Sequence, residues 1–209
     1  MKRDLPTLLS AGWLLAVCMV SITAPMISTS SPYQPVAEPL TPPGQHFMLG
    51  TDALGRDVWT RLVYGARINP GASLLATAIT VTIGGLFGLI AASISGWLDR
   101  TIMWIANAML AIPGLLLAML FVAAMGPGLP TIILAVGFGG APGFARLART
   151  IFQQVHERGY ITAAKALGAG RSWVALHHLL PNAQSQLLSL ATTHFAWAFM
   201  GTTTLTFLG

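Results

Sequence analysis

Two stretches of this 209-residue chain place polar residues at spacings able to do specific work. The first is Tyr160-Ile-Thr-Ala-Ala-Lys-Ala-Leu-Gly168, running on to His178-Leu-Leu-Pro-Asn182. Small residues at 163, 164, 166, 168, 169 and 170 leave a surface that another protein element can approach closely. The chemistry this suits is docking, not bond-making. The second is Leu49-Gly-Thr-Asp-Ala-Leu-Gly-Arg-Asp57, continuing through Arg61 to Tyr64-Gly-Ala-Arg67. It mixes turn-forming glycines with charges, and Asp57 and Arg61 stand four apart, an acidic-to-basic pair on one helix face.

Other chemistries are poorly served. Cys18 is the single cysteine, so neither an internal disulfide nor a thiolate metal cage is available. The five histidines (46, 156, 177, 178 and 194) show no metal-ligand pattern. His177 and His178 are adjacent and diverge by about 100° on a helix. No nucleophile–base set and no paired carboxylates stand out. There is no Gly-x-x-x-x-Gly-Lys-[Ser/Thr] loop to cradle a phosphate chain. The sequence is read as non-enzymatic, with no metal and no cofactor of its own.

The elements that carry these stretches are membrane helices. The chain is 54% hydrophobic and 8% charged, with mean hydropathy +0.69, whereas soluble domains carry about 25% charged residues. Charges cluster at 2–4, 38, 52–67, 99–100 and 146–171, and long uncharged blocks lie between. A spanning helix needs roughly 20 apolar residues. The blocks predict five, at about 7–27, 71–94, 102–124, 130–148 and 186–208, with Gly126-Pro-Gly-Leu-Pro130 as a turn. Alternating ten-residue segments of a β-barrel are absent. The first span is read as a retained anchor, since more membrane sequence follows it. The division is 1–27, tail and first span; 28–70, connector with a surface helix; and 71–209, a membrane core with a polar loop at about 150–182.

Lys and Arg set the orientation. With the N-terminus in the cytoplasm, inside segments carry eight basic residues and outside segments three, Arg56, Arg61 and Arg67. The net charge of +5 and pI of 10.2 reflect this topology, not nucleic-acid binding. Residues 28–47 are proline-rich and predict an extended, irregular connector. Residues 55–66 predict a short helix on the outer membrane surface, with Val58, Leu62, Gly65 and Ala66 as its apolar strip. On the other side, Arg146 and Arg149 suit snorkelling at a helix end. A helix from about 157 to 167 should be capped by Gly168. A second, from about 171 to 180, should be interrupted or kinked at Pro181. Pro113, Pro142, Gly84, Gly85 and Gly88 read as kinks and close packing. His194, Asn107 and Thr202–Thr204 read as interhelical packing and hydrogen-bonding residues.

The 160–182 stretch resembles the signature loop of ABC importer permease subunits. That pattern is Glu-Ala-Ala, three residues, Gly, nine residues, a hydrophobic residue, any residue, then Leu-Pro. Ala163, Ala164, Gly168, Leu180 and Pro181 match it; Thr162 replaces the usual Glu, and His178 the usual hydrophobic residue. His-x-Leu-Pro-Asn is similar to the dipeptide, oligopeptide and nickel branch. So are the segment with Gly50, Asp52, Gly55, Arg56, Asp57, Arg61 and Arg67, Ala111-Ile-Pro-Gly-Leu-Leu-Leu117, Ala141-Pro-Gly-Phe-Ala-Arg146 and Thr206-Phe-Leu-Gly209.

The resemblance implies an all-α polytopic membrane protein with the ABC importer permease (MetI-like) fold; the about five transmembrane helices read here lack the sixth span usual in that family. It implies a bacterial inner-membrane location and a role in ATP-driven import of peptides or nickel. The implied partners are a second permease in a heterodimer, two ATPase subunits carrying ATP and Mg, a periplasmic solute-binding protein and the lipid bilayer. The loop at 157–181 would couple ATPase closure to alternating access. Replacing Glu by Thr162 removes one charge-assisted contact there. The alternative is a truncated, inactive remnant of such a permease, or a structural membrane protein.

Overall fold

The computed structural model describes residues 5–28, 31–94 and 96–208. All regular elements among them are helical: α1 (Leu5–Ile27), α2 (Val58–Ser93), α3 (Trp97–Leu110), α4 (Gly114–Met125), α5 (Leu129–His156), α6 (Gly159–Ala166), α7 (Arg171–Val174) and α8 (Leu180–Leu208). A π-helical turn, Ala175–Leu179, joins α7 to α8. Contacts divide the chain into two compact units, Met1–Gly71 and Ala72–Gly209.

In the first unit, α1 presents Leu9, Trp13, Leu15, Met19, Ile22 and Met26 outward, as a helix solvated by lipid would. Residues 31–57 are compact, which corrects the expectation of an extended connector. Val36 N–H donates to Gly55 O (2.8 Å), Leu40 N–H to Asp52 O (3.1 Å) and Thr51 N–H to Thr41 O (3.0 Å). The buried Thr51 hydroxyl donates to Glu38 O at 2.7 Å and accepts from Thr41 N–H at 2.8 Å. Gly50 and Gly55 sit at φ +73° and +72°, and a Cβ on either would strike the backbone oxygens of Thr41 and Ala37. These folded-back contacts satisfy the backbone groups that the prolines leave without a ladder.

The expected surface helix is a second correction. Residues 58–66 are the opening turns of α2, which continues without a break through Pro70 to Ser93. Its buried face in this unit is Thr60 and Val63, while Leu62 points outward.

In the second unit α5 is the hub, packed on α3, α4 and α8. Phe144, Phe152, Val155, Ile161, Val174 and Leu179 form the buried centre. The approach of α2 to α5 depends on Gly84 and Gly88, one turn apart. A Cβ at Gly84 would lie 2.6 Å from Ala141 O, and one at Gly88 would lie 2.8 Å from both Ala145 O and Ala148 Cβ. Small residues at four-residue spacing allow this separation. Polar links join α2 to α5 and to α8. Thr80 donates to Gly137 O at 2.9 Å, and the buried Ser73 and Thr202 hydroxyls pair at 2.8 Å. Thr203 and Thr204 instead bond to carbonyls of their own helix, so only Thr202 of that trio makes the expected interhelical bond.

The expected third span is broken: α3 and α4 meet at 89° across Ala111–Pro113. Pro113 has no N–H to extend α3 and stands immediately before α4. Among the described helices, α1, α2 and α5 are long and apolar enough to cross a membrane, and α3–α4 make a fourth if they count as one span. The fifth expected span lies within α8, whose 29 residues include enough Ser, Thr, Gln and Asn to lower its apolarity.

Candidate functional site

The 157–182 segment is built on the end of α5. Helix α6 follows after Glu157 and Arg158 and is pinned by Ile161, which is fully buried among Phe152, Val155, Val174 and Leu179. Beyond Ala166 the chain closes in a Schellman motif. Ala169 N–H donates to Ala164 O and Gly168 N–H to Lys165 O, both at 3.0 Å. The motif needs a left-handed residue, and Gly168 supplies it at φ +90°.

This closure aims small and apolar groups outward. Thr162 and Ala163 are exposed, and Ala164 is half-buried. Leu167 is 89% exposed, a large apolar side chain at the tip beside Gly168. Tyr160, Trp173 and Leu176 extend the exposed apolar surface. None of these four was singled out from the sequence as a site residue. Leu167 sits directly before the capping glycine, the signal by which it could have been found.

His178 is not on that outward face. Its ring meets Trp173 edge-on at 4.8 Å and lies 5.8 Å from Tyr160, and its buried Nε2 has no hydrogen-bond partner. His177 stacks on Trp173 at 5.0 Å. Leu179, the unspecified position of the signature, is fully buried, whereas Leu180 is 42% exposed. Pro181 does not stop the helix, which corrects the expected interruption. The preceding turn widens to π geometry, with Leu180 N–H bonding to Ala175 O, and α8 continues through the proline. A wider turn relieves the clash of a proline ring with the carbonyl four residues earlier. Asn182 Nδ2 donates to His178 O at 2.7 Å, which satisfies one carbonyl of that turn.

Arg149 corrects the snorkelling expectation. Its guanidinium grips Asp99 through two bonds, Nε to Oδ1 at 2.5 Å and Nη2 to Oδ2 at 2.6 Å. This planar two-point pair ties α5 to the first turn of α3, where a carboxylate also complements the helix dipole. Arg146 remains exposed.

Asp52, Arg56 and Arg61 form a clamp of their own, with Asp57 beside it. Asp52 Oδ1 accepts from Leu54 N–H at 2.8 Å and Arg56 N–H at 3.0 Å. Its Oδ2 accepts from Arg56 Nε at 2.8 Å and from Arg61 Nη1. Burial pushes this carboxyl up, but the two backbone N–H groups and two guanidinium groups outweigh it and hold it well below the usual carboxylate range. The expected Asp57–Arg61 pair is replaced by this arrangement. Asp57 instead caps α2, accepting from Trp59 N–H (3.2 Å), Thr60 N–H (3.1 Å) and Thr60 Oγ1 (2.6 Å). Two of the three arginines thus have a structural role, and Arg67 is exposed.

No cluster of His, Cys, Asp and Glu suited to a metal occurs among the described residues. His194 meets Phe144 edge-on at 5.2 Å and lines a cavity of about 590 Å³ with Thr80, Trp197 and Thr204.

Residues 84–209 match the family described as binding-protein-dependent transport system inner membrane component. The chain is 36% identical over 193 residues to a dipeptide transport system permease protein DppC of Alkalihalophilus pseudofirmus, covering 91% of this chain and 63% of that protein. It is 36% identical over 208 residues to a di/tripeptide transport system permease protein DppC of Pseudomonas aeruginosa, covering 95% and 69%. It is 34% identical over 167 residues to a glutathione transport system permease protein GsiD of Pectobacterium atrosepticum, covering 80% and 56%. The chain spans roughly two thirds of the length of the curated relatives it matches.

Proposed function

Because the chain belongs to the family of binding-protein-dependent transport system inner membrane components, we propose that it is a non-enzymatic permease subunit of an ATP-driven importer of short peptides. The names of its relatives, which include dipeptide, di/tripeptide and glutathione permeases, favour peptide over nickel as cargo. Its proposed partners are a second permease in a heterodimer, two ATPase subunits that carry ATP and Mg, and a periplasmic solute-binding protein. The excess of Lys and Arg in the 1–6, 95–101 and 146–185 segments supports a cytoplasmic N-terminus. The clamp at 50–67 then faces the periplasm, and α6 faces the cytoplasm.

The observation that carries this reading is the mounting of α6. Ile161 fixes one face of the helix to the core, while Thr162, Ala163 and Leu167 stand free beside a glycine-closed turn. A short helix held in this way enters a groove on an ATPase and passes the ATPase's movement to α5 and α8. Alternating access follows as those helices tilt. The test is to purify the tagged chain from native membranes. Co-recovery of a second permease and ATPase subunits, lost in Gly168→Arg while membrane insertion persists, is expected. Normal peptide uptake by Gly168→Arg would overturn the coupling role, and a stimulus of uptake by nickel alone would overturn the cargo.

A further inference from the structure

A polar cleft of about 520 Å³ opens where α2 and α5 end, on the inner side of α6 and α7. One water's share of liquid volume is about 30 Å³, so the cleft has room for a sizeable polar ligand. Its polar lining is Ser93, Gln153, His156, Glu157, Lys165 and Arg171. Two buried polar atoms of that lining, Ser93 Oγ and His156 Nδ1, have no hydrogen-bond partner. Buried polar groups are nearly always satisfied, so two orphans in one cleft point to something that completes them.

Their chemistry says what kind of group it is. The Lys165 ammonium bonds to His156 Nε2. An ammonium only donates, so Nε2 accepts and the neutral ring carries its proton on Nδ1. The orphaned Nδ1 is therefore a donor, as is the Ser93 hydroxyl. Lys165 keeps further N–H groups and Arg171 adds a guanidinium fork, whereas Glu157 is the single carboxylate of the lining. Donors and positive charge dominate. We propose that this cleft binds a phosphate-type oxyanion, whose several acceptor oxygens meet donors arriving from four elements. Its position at the ends of two apolar helices allows two sources, the headgroup of an anionic lipid or dissolved phosphate.

The test reads binding directly and does not depend on the transport proposal. The full chain is placed in phosphatidylcholine nanodiscs and titrated calorimetrically with inorganic phosphate. In parallel, native mass spectrometry counts lipids retained from phosphatidylglycerol–phosphatidylcholine mixtures. Replacing both cations (Lys165→Gln with Arg171→Gln) is expected to weaken binding by about tenfold or more, while Arg146→Gln, outside the cleft, leaves it unchanged. Phosphate binding without selective lipid retention assigns the dissolved source; selective retention of phosphatidylglycerol assigns the headgroup. No binding in either arm, or equal binding by the double variant, overturns the proposal. If the double variant does not fold, Ser93→Cys in a Cys18→Ala background serves instead. Phosphate or phosphatidylglycerol should slow its reaction with a small methanethiosulfonate, and the absence of protection by both would overturn the site.

Discussion

Adding one methyl group at Gly88 should separate α2 from α5, and the effect can be worked out from contact distances. A Cβ there would lie 2.8 Å from Ala145 O and Ala148 Cβ and 3.0 Å from Arg149 N, whereas ordinary contact begins at 3.4 Å. The obstructing atoms are backbone or a Cβ, so no rotamer change relieves them, and the helices must move by about 0.6 Å. Overpacking of this kind costs about 1–3 kcal/mol, and the gain in helix propensity from Gly to Ala offsets up to about 1 kcal/mol. Gly88→Ala is therefore expected to lose about 1–2 kcal/mol, as is Gly84→Ala, where Ala141 O stands 2.6 Å from the added carbon. Gly85 is the internal control: its nearest neighbour across the interface is Phe144 Cε1 at 3.8 Å. Gly85→Ala should be neutral or slightly stabilising. The assay is reversible unfolding in mixed micelles, with all three variants measured together. Equal losses at 84, 85 and 88 would show that helix flexibility and not close approach sets the cost, and would refute the reasoning.

At the other polar sites the expected outcomes are equally specific. Arg149→Gln or Asp99→Asn alone should cost about 1–3 kcal/mol by leaving a desolvated partner, and the double variant should cost less than the sum, measured as a double-mutant cycle in the same unfolding assay. The Asp52 carboxyl is held below its ordinary value of 3.8, so its contribution to the 31–57 fold is fully present above that pH. It is lost as pH falls from there through the lower folded-state value; amide exchange at Val36, Leu40 and Thr51 should accelerate in that acid range, and Asp52→Asn should remove the acid-dependent part. Gly168→Ala should cost about 1–2 kcal/mol through its left-handed backbone. Gly168→Asn should cost less, because Asn tolerates the left-handed backbone better than Ala and the space beside the residue is open to its longer side chain; limited proteolysis of the 166–170 turn distinguishes the two. Leu167→Asp should abolish ATPase association with no loss of stability, since its side chain is 89% exposed; retained association in a co-purification would refute a role for the tip.

Local signals in the sequence survived into three dimensions. Gly168 was legible as a helix stop because a left-handed turn selects glycine, and Gly84, Gly85 and Gly88 read together as kinks and close packing, although a neighbouring helix approaches closely only at 84 and 88. The uncharged blocks were legible as helices because backbone groups in hydrocarbon must be satisfied internally. What stayed hidden was tertiary choice. Arg61 has two carboxylates within reach along the chain, and spacing favoured Asp57. The fold gave Asp57 to the α2 N-terminus and Arg61 to Asp52. The Asp99–Arg149 pair joins residues fifty apart, so no local pattern announces it. Pro181 read as an interruption or a kink, yet helix passes through it, as it does through Pro70. A proline removes one donor and crowds one carbonyl, and a neighbouring π turn or packed helix can absorb both effects.

A movement at α6 would travel through one buried cluster. Ile161 shares one buried cluster with Phe152 and Val155 of α5, Val174 of α7, Leu179 of the π turn and Ala183 of α8. Helix α6 therefore has no hinge of its own, and displacing it displaces the ends of α5 and α8 with it. Asp99 extends the same body to the start of α3 through two short bonds to Arg149. The glycine contacts extend it to α2. Regular helix stops at Ala111–Pro113, where α3 and α4 meet at 89°; Ala111 and Ile112 N–H bond back to carbonyls of α3, Pro113 has no N–H, and its carbonyl accepts from α4. Under the transport proposal, the first relative motion inside this unit is α4 against a block made of α2, α3, α5 and α8. A spin-label pair on α3 and α4 should then change separation on ATP binding to the assembled transporter, while a pair on α3 and α5 should not. A change confined to the α3–α5 pair would place the hinge at the Asp99–Arg149 bond instead.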